Sequence, residues 1–161
     1  MLFIAALLFA LLSGSVSSAL DMPALKAGIN DFAAMFSPAS RDDLEGRLRR
    51  FNTETANGIV VLTIKTLDGE NIESVARNAF DHLPLSDAER QTTVLLVVAR
   101  NERKIAIQTG SQVSALLPEP AASEKLLAQT ALYWGGMRSD LGLHGARHYL
   151  FRLLRRDRGL D

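Results

Sequence analysis

Residues 94–110 read VLLVVARNERKIAIQTG. Val94 to Ala99 form an unbroken apolar run rich in valine and leucine, the pattern of a strand buried on both faces. Arg100-Asn101-Glu102-Arg103 interrupt it with charge, and after Lys104 an alternating stretch follows, Ile105, Ala106, Ile107, Gln108. This spells a β-hairpin with a charged tip, its second strand at or near a sheet edge.

Upstream, IVVLTI at 59–64 is a second β-branched run and reads as another buried strand. Between the two runs, Ile72, Val75, Ala76, Ala79, Phe80 and Leu83 fall on one stripe, which predicts a helix over 71–83. Residues 84–91 read as a polar loop. A strand, helix, strand order implies parallel pairing of 59–64 with 94–99, because a hairpin cannot join parallel neighbours. Before this unit, Leu44, Leu48 and Phe51 have helical spacing over 40–55. Ser40 stands as the expected N-cap, Asp42 and Asp43 in the first turn, and Asn57-Gly58 at the C-terminal end. After the hairpin, helices are expected at about 121–134, ended by Gly135-Gly136, and at about 141–156. The expected fold class is α/β: a three-layer α/β/α sandwich, a small mixed sheet flanked by helices.

The 161 residues favour one domain, and 47% apolar content supplies a core. Eighteen basic and 18 acidic side chains give zero net charge, which argues against nucleic acid held by bulk charge. Without cysteine the chain has no thiol nucleophile, disulfide or Cys-ligated zinc. Met1 to Leu12 are all apolar, and SGSVSSA follows with Ser17 and Ala19 placed for a cut before Leu20. That run is shorter than the roughly 20 residues that span a bilayer. Residues 1–19 are therefore expected to be a secretory signal peptide, though no Lys or Arg precedes the apolar run, and the remainder to be exported, periplasmic or membrane-associated on the non-cytoplasmic side.

No dinucleotide, Walker, zincin, nucleophile-elbow or EF-hand motif occurs. His144 and His148 could share a metal at helical spacing but have no acidic neighbour in sequence, so they read as surface residues. Tyr133 and Trp134 read as packing groups. Arg152, Arg155 and Arg156 belong to a basic C-terminal face suited to contact with a membrane surface. The scattered acids Asp31, Asp68, Glu102 and Glu119 could supply oxygens to a hard cation only if the fold gathers them.

The ordered series INDFAAMFS (29–37), ANGIVVLTI (56–64), NIESVARNAF (71–80), TVLLVVA (93–99) and ERKIAIQTG (102–110) resembles the TPM domain family, over about residues 28–150. The resemblance implies a small α/β/α sandwich, an exported or lumenal location, and acid phosphatase activity or calcium binding in some members. It also implies a set of acidic positions. Asp31 keeps one, Glu102 and Glu119 stand where the family has aspartates, and Gln91 and Ser114 stand where it has acids. Lost carboxylates weaken a divalent-cation site, so no cofactor, or weak calcium at most, is expected. The resulting division is a signal peptide at 1–19, a lead-in at 20–39, a TPM-like domain at 40–156 and a tail at 157–161. The expected function is a non-catalytic binding or assembly accessory with a protein partner in the cell envelope. The alternative is an acid phosphatase-like phosphomonoester hydrolase using Asp31, Glu102 and Glu119, which are also the candidate metal ligands.

Overall fold

The computed structural model of the chain describes residues 23–115, 117, 124, 125 and 128. The elements run β1 (Ile29–Asp31), α1 (Pro38–Thr55), β2 (Gly58–Ile64), α2 (Ile72–Asp81), α3 (Asp87–Gln91), β3 (Thr93–Ala99) and β4 (Lys104–Thr109). The strands form one sheet in the order β1-β2-β3-β4. The first three are parallel, and β4 runs antiparallel to β3. The helices expected at about 121–134 and 141–156 fall outside, or largely outside, the described residues.

The two apolar runs are the middle of this sheet, and every residue of β3 is buried. Side-chain alternation splits them between two cores. Ile59, Val61, Val94, Leu96, Val98, Ile105 and Ile107 face α1 through Leu44, Leu48 and Phe51. Val60, Leu62, Ile64, Leu95, Val97, Ala99 and Ala106 face α2 through Ile72, Val75, Ala76, Ala79 and Phe80. Among the described residues one helix thus covers each face of a mixed sheet, the expected α/β sandwich. β4 pairs with β3 as a hairpin, with Leu96 opposite Ile107.

β1 is the difference from the sequence reading, which treated 20–39 as a lead-in. Three residues are too few to show a period. Ile29 is nevertheless 1% exposed, and Ala33, Met35 and Phe36 behind it are buried in the α1 core. Asn30 ties the strand down: its Oδ1 accepts from Lys26 N at 2.9 Å, and its amide donates back to Lys26 O at 2.9 Å. The folded unit therefore begins before residue 40.

The start of α1 is also earlier than expected. Pro38 occupies the first helical turn, where its missing N–H costs nothing. Ser37, in an extended conformation, is the N-cap and accepts from Ser40 N at 3.2 Å. Asp42 and Asp43 consequently lie beyond the first turn; Asp43 pairs with Arg47 one turn on, at 2.8 Å. At the other end the left-handed cap is Ala56, with φ 54°, and its N–H donates to Asn52 O. Gly58 has another role: a Cβ there would lie 2.6 Å from Thr93 Oγ1, so the glycine permits close approach of β2 and β3. Ser37→Ala is expected to destabilise the domain by about 1 kcal/mol, and Ser40→Ala by less than about 0.5 kcal/mol, in urea unfolding.

Residues 84–91 are not all loop. Ser86 and Glu89 form a reciprocal capping box that starts α3. The Ser86 hydroxyl, then its backbone N–H, holds the Glu89 carboxyl below the usual range.

β1, β2 and β3 lie side by side in chain order, yet α1 and α2 cover opposite faces. The β1-α1-β2 and β2-α2-β3 crossovers therefore have opposite hands, and one departs from the usual right-handed sense. The chain leaves β1 towards one face and β2 towards the other. The carboxyl ends of the strands, where such loops diverge, are the usual place for a site in an α/β sheet.

Candidate functional site at the carboxyl rim of the sheet

Asp31 ends β1 at the carboxyl rim of the sheet, and its side chain is 0% exposed. The buried carboxylate is engaged on both oxygens. Oδ1 accepts from Met35 N at 2.9 Å and from Thr63 Oγ1 at 2.5 Å. Oδ2 accepts from Phe36 N at 3.1 Å and from Arg41 Nη2 at 3.3 Å. Asp31 thus turns the chain from β1 into α1, because the loop's amides need acceptors that β2 cannot reach. Thr63 completes the turn: it is fully buried, and its Oγ1 also accepts from Ala33 N at 3.2 Å. Arg100, just past β3, donates to Ala33 O at 2.7 Å and clamps the same loop from the other side. Arg41 Nε is shielded from solvent and has no partner among the described residues.

Glu102 sits in the hairpin tip. Arg100 N donates to Ile64 O and Asn101 N to Lys65 O, both at 3.0 Å, so the tip lies beside the end of β2. Glu102 Oε1 accepts from Leu67 N at 3.0 Å and from Thr66 Oγ1 at 2.8 Å. It caps the β2-α2 loop. Its Oε2 is shielded, without a partner among the described residues. The Leu67 N–H, then the Thr66 hydroxyl, holds the Glu102 carboxyl below its ordinary value. A carboxylate with a depressed folded pKa stabilises the fold above the unfolded pKa, and that contribution is lost as pH falls through the folded value. Glu102→Gln should therefore flatten the acid limb of stability against pH, read as urea midpoints over the carboxylate range.

Asp31 and Glu102 face different groups. Asp31 pairs with Thr63, which pairs with Val98. Two strand spacings, about 10 Å, separate the outer strands of that row, and Glu102 lies further along the chain from Val98. The two carboxylates share no hydrogen-bond partner. Glu119, Arg152, Arg155, Arg156 and both helix histidines, His144 and His148, lie outside the described residues. Asp68 is exposed in the loop after β2, with φ 49°. Among the described residues no group of three or more His, Asp or Glu side chains is placed to hold a metal ion.

The implied acidic positions that this chain lacks are at the opposite end of the sheet. Gln91 precedes β3, and its Oε1 accepts from Gln112 Nε2 at 2.8 Å. Ser114 follows in the same turn, donating to Ser111 O. A strand the length of β3 spans roughly 20 Å, so Gln91 and Ser114 are not neighbours of Asp31 or Glu102. Sequence reasoning missed Thr63, Arg41 and Arg100 at the rim. The readable signal was the lone hydroxyl of Thr63 inside an apolar run.

The solvent side of this rim is cationic. Lys65, Arg100, Arg103 and Lys104 are all exposed, while the Asp31 and Glu102 carboxylates point into loops and Asp68 is the exposed acid of the β2-α2 loop beside them.

Solved structures share the fold. The N-terminal domain of a Porphyromonas gingivalis (P. gingivalis) protein, determined in solution, is 19% identical with TM-score 0.67, over 80% of this chain and 82% of that one. The BA42 protein of the psychrophile Bizionia argentinensis is 15% identical with TM-score 0.55, over 75% and 82%. The N-terminal domain of a Corynebacterium glutamicum protein is 14% identical with TM-score 0.52, over 80% and 82%. No curated protein matches the chain. The family model for the TPM domain matches residues 29–131, from the first residue of β1 through the whole sheet. The chain therefore belongs to the TPM domain family.

Proposed function

We propose that this TPM domain is an exported, non-catalytic binding domain that docks an acidic envelope protein on the cationic carboxyl rim of its sheet. The observation that carries this reading is the enclosure of Asp31. A carboxylate with 0% exposure and donors on both oxygens is a poor general base or metal ligand, since either role would strip the β1-α1 loop of its acceptors. Lys65, Arg103 and Lys104 are exposed and can meet a partner of opposite charge. The apolar leader at 1–19 supports export. No described helix is long and apolar enough to cross a membrane.

The test is a crosslinked pull-down from envelope fractions, run beside a phosphomonoester hydrolysis assay. The chain should recover a specific partner, and Lys65→Glu with Arg103→Glu should reduce recovery about tenfold while leaving the melting temperature unchanged. Hydrolysis should not exceed the blank. Turnover that is lost in a folded Asp31→Asn variant, with no partner recovered, would establish the acid phosphatase alternative instead.

A further inference from the structure

A second site lies at the opposite end of the sheet. A pocket of about 660 Å³ opens between the C-terminal half of α1 and the amino ends of β2 and β3, bounded by Gly28, Gly58 and Thr93. That volume suits a small organic ligand. The apolar lining comes from both sides of the sheet, Leu48 and Ile59 from the α1 side and Val60 and Leu85 from the α2 side, because the pocket lies along β2 before its pairing with β1 begins at Val61.

Its charges are unevenly engaged. Lys26 is paired with Glu45 at 2.9 Å, and Glu89 is held in the capping box by Ser86. Arg49 also lines the pocket and is exposed. Its guanidinium has no hydrogen-bond or ion-pair partner among the described residues. The Asn52 amide, three residues on and on the same face, is likewise unengaged. A planar guanidinium with its donors unused favours a carboxylate or phosphate oxygen pair. The partial negative charge at the end of α1 is confined to its last turn, near Ala56. An anion is therefore best placed at Arg49, with the ligand body reaching towards Ile59.

We infer that this amino-end pocket binds a small amphipathic anion, a single carboxylate or phosphate head on a short apolar chain, with Arg49 taking the head and the chain lying on the α1 side against Leu48 and Ile59. The site is independent of the carboxyl rim, so either can fail alone.

The test is amide chemical-shift mapping of the full mature chain with octanoate, hexyl phosphate and neutral octanol as probes. Saturable shifts should concentrate at Gly28, Gly58 and Thr92 with at least one of the two anions. The better anion identifies the head group. Arg49→Gln should weaken anion binding about tenfold, the loss expected for one charged hydrogen bond, and leave octanol unchanged. Arg49 is exposed on α1, so the variant keeps the fold. Absence of saturable shifts at these amides, or equal binding of octanol and both anions, or an Arg49→Gln variant that binds the anions as wild type does, would overturn the proposal.

Discussion

Asp31→Ala is expected to lose about 3–5 kcal/mol of stability, seen as a large fall in the urea midpoint at an unchanged slope. The cost has several sources. Met35 N and Phe36 N lose their acceptor, the buried Thr63 Oγ1 loses its acceptor, and Arg41 loses its counter-ion. Each buried donor left unpaired costs on the order of 1–3 kcal/mol. Partial exposure of Arg41 moderates only the ionic part, because its side chain is 42% exposed and can turn to water. Asp31→Asn keeps one acceptor oxygen and should fall between wild type and alanine. A surface or purely catalytic aspartate would show neither loss, so the measurement separates a structural pin from a reactive group.

Gly110→Ala should be at least as disruptive, by about 3 kcal/mol or more. A Cβ at Gly110 would lie 2.0 Å from Arg90 O and 2.4 Å from Gln91 O. Both are backbone atoms at the α3-β3 junction and cannot swing aside as a side chain could. Gly110 N also donates to Thr93 O at 2.8 Å, and Gly110 O accepts from Val113 N and Ser114 N at 3.1 Å. The substituted chain must either separate the end of β4 from the start of β3 or break the turn that follows. A depressed midpoint together with amide shifts at Thr93, Val113 and Ser114 is the expected outcome. An unchanged midpoint would mean that this junction moves easily.

The parts of the fold that were legible are those where burial writes a period. β2, β3, β4 and α2 appear in the sequence as apolar runs, an alternation and a stripe, and the structure places each within a residue or two. β1 was hidden because Ile29-Asn30-Asp31 is too short to repeat anything. Side-chain hydrogen bonds from Asn30 and Asp31 define it, and periodicity does not register these. The start of α1 was misplaced because Ser37 and Ser40 are both good caps. Pro38 decides between them, since proline fits the first turn and cannot be followed by a cap two residues later without losing that turn. The capping box at Ser86 and Glu89 was legible as S-x-x-E and was overlooked inside a polar stretch.

The site was less legible than the fold, for a different reason. Asp31 and Glu102 could be singled out as acidic residues near strand ends, but whether a carboxylate faces water or a loop depends on neighbours from distant segments. For Asp31 these are Met35, Thr63 and Arg41; for Glu102 they are Thr66 and Leu67. The sheet register also sets Gln91 and Ser114 at the far end of β3, so the acidic positions implied by family resemblance divide between two ends of the domain.

The most direct test is thermal melting of the chain across a calcium titration. A cation that binds only the native state must raise the melting temperature, and by more as its concentration rises above the dissociation constant. Among the described residues Asp31 is committed to loop donors through both oxygens and Glu102 through one, and no cluster of acids gathers for the ion, so the expected melting temperature does not move at millimolar calcium. A rise that Asp31→Asn or Glu102→Gln abolishes would show those carboxylates converging on a cation, and would contradict that expectation.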